Sequence, residues 1–243
     1  MAELQRLWII RHGESTGNVA AARAEAAGTD LVDITERDAD VPLSATGREQ
    51  AEATGRWLAA LPDDERPDVV VVSPYRRAAQ TAELALAGLD VPVHRDERLR
   101  DRELGVLDLL TSHGVASRFP EEAERRARLG KFYYRPPGGE SWADVALRLR
   151  ALLGDLRRDH ADRRVALFGH EALVFLLRYL LEPISEPELV ELTRRHRLGN
   201  CSVTGWRRGP DGGLDLTVFN DVTHLREQGT EPTREEGVDA EPV

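Results

Sequence analysis

The chain of 243 residues contains one cysteine and one methionine, and Lys131 is its only lysine. A lone Cys201 excludes a disulfide framework and a multi-cysteine metal site, and it fits a reducing cytosol. Long apolar runs are also missing. The longest candidate, 172–181, is broken by Arg178 and is too short to span a bilayer. Arg6 and Arg11 bracket only four apolar residues, so the start of the chain has no signal-peptide core. Positive charge is in deficit, with 33 Lys and Arg against 43 Asp and Glu and a net charge of -10. That balance argues against nonspecific binding to nucleic acid or to an anionic membrane. Almost all the basic residues are arginine, a compositional bias, so only the placement of particular arginines is informative.

The remaining composition, 41% hydrophobic and 31% charged, is ordinary for a globular protein with a substantial core. Buried strands are expected at 4–10, at 68–73 ("DVVVVS") and at 164–168, with a further strand at 91–94. Helices are expected from the Ser44 N-cap to about Leu61, after Pro74 up to Gly88, across 142–156, at 171–181 and at 187–196. Residues 19–40 read as a short helix and a mobile loop, and 115–129 as one helix. A hairpin around "GPDGG" closes the pattern. Strands alternating with helices imply an α/β fold, a three-layer α/β/α sandwich with a mainly parallel mixed sheet. One domain is expected over 1–225, with an irregular lid at about 99–139. Residues 226–243, rich in Pro, Gly and Glu, read as an acidic disordered tail.

Three of these strands stop at polar chemistry. "LWIIRHGESTGN" ends in Arg11-His12-Gly13, "VVVVSPYRRA" carries Arg76 and Arg77 into a helix, and "VALFGHEA" reaches His170. In an open α/β sheet, ligands bind outside the carboxyl ends of the strands. Imidazoles and guanidiniums gathered there suit a phosphoryl group.

The ordered set "RHGESTGN", "PLSATGREQA", "SPYRRAAQTA", "PPGGESWADV", "GHEA" and "FNDVTHL" resembles the histidine phosphatase superfamily, with its phosphoglycerate mutase-like fold, over about 4–225. The resemblance implies that His12 is a nucleophile phosphorylated on a ring nitrogen, chemistry that needs neither metal nor other cofactor. It implies that Arg11 and Arg77 clamp the nonbridging oxygens; the family's Arg-Ala-x-x-Thr pattern selects Arg77 over Arg76. His170 would face the phosphate as an electrostatic partner. Gly13 would leave room for the phosphate, and Ser15, Thr16, Gly17 and Asn18 would present amides at a helix start.

The family's Leu-x-Glu-x-x-x-Gly pattern reads here as Leu99 to Gly105, which puts Asp101 at the general-acid position with Glu103 as competitor. Relatives that are mutases carry a lysine after this motif, absent from "LGVLDLLTSHG", and Glu171 stands where the family has glycine. A carboxylate there repels a second phosphate unless it points away or pairs with an arginine. Both departures favour water as phosphoryl acceptor. "KFYYRPPGG" offers Lys131, Phe132, Tyr133, Tyr134 and Arg135 to an anionic or ring-bearing leaving group. The expected partner is a small phosphorylated cytosolic metabolite, with no nucleic acid and no membrane, and a homodimer is compatible with the sequence. The remaining histidines lack metal-ligand spacing.

Overall fold

The structure, a computed structural model, describes residues 3–234. Along the chain lie β1 (Arg6–Arg11), α1 (Thr16–Ala27), α2 (Ala45–Ala60), β2 (Val69–Val72), α3 (Arg76–Ala85) and β3 (Val93–Arg95). Next come α4 (Ser112–Arg118), α5 (Pro120–Tyr133), α6 (Trp142–Asp159), β4 (Arg164–Gly169), α7 (Glu171–Leu181) and α8 (Glu186–Arg195). The last elements are β5 (Val203–Arg208), β6 (Leu214–Asp221) and α9 (Thr223–Glu227). The six strands form one sheet in the order β3-β2-β4-β1-β5-β6. Its first four strands are parallel, and the β5–β6 hairpin joins β1 antiparallel.

Alternation along the strands sorts the core into two faces. Leu7, Ile9, Val71 and Leu167 pack with the apolar stripes of α6 and α7, including Leu149, Leu152, Phe175 and Leu176. Trp8, Ile10, Val72 and Phe168 face the other way, toward Leu58 of α2 and Ala82 and Ala85 of α3. The result is the expected three-layer arrangement. Each buried strand sits between helices, which is why its sequence is continuously apolar.

Three expectations are revised. The helix expected over 115–129 is two, α4 and α5, broken at Phe119 (φ -134°, ψ 55°) because Pro120 opens the second helix and disfavours helical backbone just before it. The first helix starts earlier than expected, at Thr16, because Ser15 caps it: Ser15 Oγ accepts from Asn18 N–H, and Asn18 Oδ1 accepts from Ser15 N–H. The third concerns the tail. Within 226–234 the chain is hydrogen-bonded to the rest of the fold, with Gln50 Nε2 donating to the Glu231 carbonyl and Asn200 N donating to the Thr233 carbonyl, although only Thr230 is buried. The rest of that tail, 235–243, lies outside the described residues. Among the described residues no helix is long and apolar enough to cross a membrane.

Candidate active site

Strand register explains why two histidines 158 positions apart become neighbours. Arg11 pairs with Gly169 at the carboxyl ends of adjacent parallel strands β1 and β4, so the next residue on each is a histidine. His12 N donates to the Gly169 carbonyl at 2.9 Å, and the His12 and His170 ring centroids lie 5.3 Å apart. On the other side of β4, Ser73 N donates to the Phe168 carbonyl, which sets the turn into α3 and Arg77 beside the same edge.

His12 is 3% exposed and forms part of a cavity wall. Its Nδ1 lies 2.8 Å from the Gly13 carbonyl, which can only accept. Nδ1 therefore carries the proton, and the lone pair is on Nε2. Burial holds the His12 pKa well below the ordinary histidine value, and the charges of Arg77, His170 and Arg11 press it in the same direction. A neutral ring with a defined tautomer is what a nitrogen nucleophile requires.

Behind it stands a chain of charge. Asp101 Oδ2 accepts from Arg77 Nη2 at 2.9 Å and lies 3.2 Å from His170 Nδ1, while Asp101 Oδ1 accepts from Arg102 N at 2.9 Å. Burial disfavours the Asp101 carboxylate, but His170 and Arg77 outweigh it and hold the pKa well below the usual range. His170 is fully buried, its Nε2 lies 2.8 Å from Ser73 Oγ, and burial lowers its pKa despite Asp101. Both its nitrogens thus meet protein groups, and it lies behind the cavity wall, not on it. Arg77 also donates to Asp38, and Asp38 and Asp101 together overcome the burial that opposes its charge. Arg11, 1% exposed, donates to the Leu198 carbonyl and lies 3.2 Å from Glu171 Oε2. Glu171 therefore pairs with an arginine.

The cavity, about 690 Å³, runs from His12 and the start of α1 to the lid. Ser15, Gly17, Asn18, Arg77, Asp101, Glu103 and Glu171 are on its wall, whereas Gly13 and Thr16 are not. The expected role of Gly13 is therefore revised: its missing side chain makes room for α2, since a Cβ would meet the Gly47 carbonyl oxygen at 2.5 Å. Of the lid residues, Lys131, Phe132, Tyr133 and Tyr134 line the cavity, while Arg135 pairs with Asp144. Glu103 Oε1 accepts from Tyr75 Oη at 2.5 Å. Arg76 points elsewhere, to the Asp40 carbonyl. No three His, Cys, Asp or Glu side chains among the described residues come together as a metal site.

Sequence reasoning missed Asp38, Ser73, Tyr75 and Asn200. Asn200 Nδ2 donates to the His12 carbonyl at 3.3 Å. Ser73 alone carried a signal, as the polar end of a valine run.

The profile of the histidine phosphatase superfamily (branch 1) matches residues 7–222. The 2,3-bisphosphoglycerate-dependent phosphoglycerate mutase 2 of Gloeobacter violaceus is 35% identical over 76% of this chain and 78% of its own length. The phosphoglycerate mutase-like protein AT74H of Arabidopsis thaliana is 26% identical over 93% of this chain and 82% of its own. Among solved structures, a mycobacterial glucosyl-3-phosphoglycerate phosphatase in complex with VO3 superposes with a TM-score of 0.71 at 30% identity, covering 89% of this chain and 98% of that one. Phosphatases and mutases both stand among its relatives, and the chain belongs to the histidine phosphatase superfamily.

Proposed function

We propose that the protein is a metal-independent phosphomonoesterase that hydrolyses a small cytosolic phosphate ester through a phosphohistidine on His12. The observation that carries this reading is the His12 ring itself: neutral, on the cavity wall, with Nδ1–H committed to the Gly13 carbonyl and Nε2 left as the nucleophile. Nε2 attacks phosphorus, the bond to the leaving oxygen breaks, and a carboxylic acid protonates that oxygen. Water then attacks the phosphohistidine, the same carboxylate takes its proton, and the P–N bond breaks to return neutral His12 and release phosphate.

Asp101 serves as the acid, with Glu103 as the rival. Asp101 is held ionised by Arg77 and His170, and an arriving phosphoryl dianion offsets the Arg77 charge and raises the Asp101 pKa, which makes it a proton donor when one is needed. Arg77 and Arg11 contribute positive charge to the transition state, and buried His170 orients Asp101 through Nδ1. The leaving group occupies the lid side of the cavity, where aromatic Phe132, Tyr133, Tyr134 and Trp142 accompany Lys131 and Arg126. That lining suits an organic group of sugar size or larger.

The rival reading, a phosphoglycerate mutase, is separated by product. Incubating the protein with sugar phosphates, phosphoglycerates and nucleotides, chelator present, is expected to yield free phosphate. Isomerised phosphoglycerate without phosphate release establishes the mutase instead. Wild type quenched in alkaline detergent is expected to hold alkali-stable, acid-labile phosphate that His12→Ala lacks.

A further inference from the structure

We propose that Asp38 is an internal competitor for the phosphoryl group, its carboxylate holding Arg77 until the substrate's oxygens displace it. The inference rests on the phosphatase reading above and adds a specificity-determining residue to that site.

A guanidinium carries two N–H donors on each Nη and one on Nε. Arg77 Nη1 donates to the Asp38 carbonyl at 2.6 Å and to Asp38 Oδ1 at 2.8 Å. Its Nη2 donates to Asp38 Oδ2 at 3.2 Å and to Asp101 Oδ2 at 2.9 Å. Protein oxygens therefore accept from all four Nη hydrogens, and three of those oxygens belong to one residue. A phosphoryl group that engages the fork through two parallel N–H bonds must displace a carboxylate.

Asp38 is the one that can leave. Asp101 is tied on both oxygens, to Arg102 N as well as to Arg77 and the His170 ring. The Asp38 side chain is 39% exposed and sits on a single 3-10 turn, Asp38–Asp40, so it can swing into water. Its backbone carbonyl would still hold Arg77 Nη1 after the swing, which keeps the guanidinium in place. The exchange favours ligands with two negative charges on one head group, because a singly charged group gains nothing over the carboxylate it replaces. It also loosens product phosphate.

The test is isothermal titration of the full chain with inorganic phosphate, comparing wild type, Asp38→Asn and Asp40→Asn. Asp40 is on the same turn, but its carboxylate is held by Arg37, so this variant changes net charge without touching Arg77. If the carboxylate occupies Arg77 in about nine molecules of ten, Asp38→Asn tightens phosphate roughly tenfold and Asp40→Asn leaves it unchanged. Asp38→Ser gives the same sign, and the gain disappears when Arg77→Met is added. Unchanged or weaker binding in both Asp38 variants overturns the proposal, since Asp38 would then merely orient Arg77. Equal gains in Asp38→Asn and Asp40→Asn overturn it as well, leaving only a net-charge effect. No phosphate binding by any of the proteins brings down the phosphatase reading and this inference together.

Discussion

A Cβ on Gly47 would stand 1.9 Å from the Glu14 carbonyl oxygen, as one on Gly13 would crowd the Gly47 carbonyl. Both obstacles are backbone, which cannot rotate away, so the start of α2 and the His12–Glu14 loop are locked together by two missing methyl groups. Gly13→Ala is expected to cost about 1–3 kcal/mol, read from urea denaturation, and to lower activity because His12 moves with the loop. An unchanged denaturation midpoint would mean the two segments are not interlocked. The proton donor is decided at the same scale. Asp101→Asn is expected to lower kcat about a hundredfold or more, most for alkyl esters whose leaving oxygens need a proton. Activated aryl phosphates should suffer less. Glu103→Gln should change kcat only severalfold, and a reversed pair of results would make Glu103 the acid.

Above the residue, the segment from Gly229 to Arg234 straps the His12 loop from below. Thr233 Oγ1 donates to Asn200 Oδ1 at 3.0 Å and accepts from Gln50 Nε2 at 2.9 Å. Asn200 in turn donates to the His12 carbonyl, and Gln50 Oε1 accepts from Glu14 N at 2.9 Å. Thr233→Val keeps the shape and removes these bonds. It is expected to reduce kcat with little change in KM, and Asn200→Ala to reduce it about ten- to a hundredfold, since small displacements of a nucleophile are costly. If kcat is unaffected in both, the strap does not position His12. None of this support was legible in the sequence, because it depends on hydrogen bonds between segments up to 188 positions apart, and polar residues in coil carry no period. By contrast, the strands, the sheet edge and the His12–Arg77–His170 grouping could be read. Unbroken apolar runs, four valines in β2 and Val-Ala-Leu-Phe in β4, mark both strands as buried, and a buried parallel strand leaves its chemistry to the residue just past its end. Within the lid, the single helix expected over 115–129 is two because Pro120 opens a new one.

At the scale of the whole molecule, three histidines are folded into places where a proton is unwelcome, and acid should find them. His12, His170 and His224 are all buried with pKa values depressed by burial, His224 to about 4 from the ordinary 6.5. His224 is packed against Trp57 with its Nε2 held by the Thr54 hydroxyl, and it does not line the cavity. Because the folded pKa lies below the unfolded one, the unfolded chain binds the extra proton first. Stability is therefore full above about pH 6.5 and falls as the pH drops toward 4. Over that whole window His224 alone contributes about 3 kcal/mol. Carboxylates act in a lower window with the same sign: Asp144, brought down to about 2 by Arg135 and Ser141 against the effect of burial, loses its contribution only below its ordinary 3.8. The two windows can be separated by comparing wild type with His224→Gln in urea at about pH 7.5 and about pH 5. Whatever stability gap the substitution opens at the higher pH should shift by about 2 kcal/mol in favour of the variant at the lower one, where wild-type unfolding gains a proton and the variant's does not. An identical gap at both pH values would mean that His224 titrates alike in the folded and unfolded chain, and that the acid sensitivity belongs to the carboxylates and the two histidines at the sheet edge.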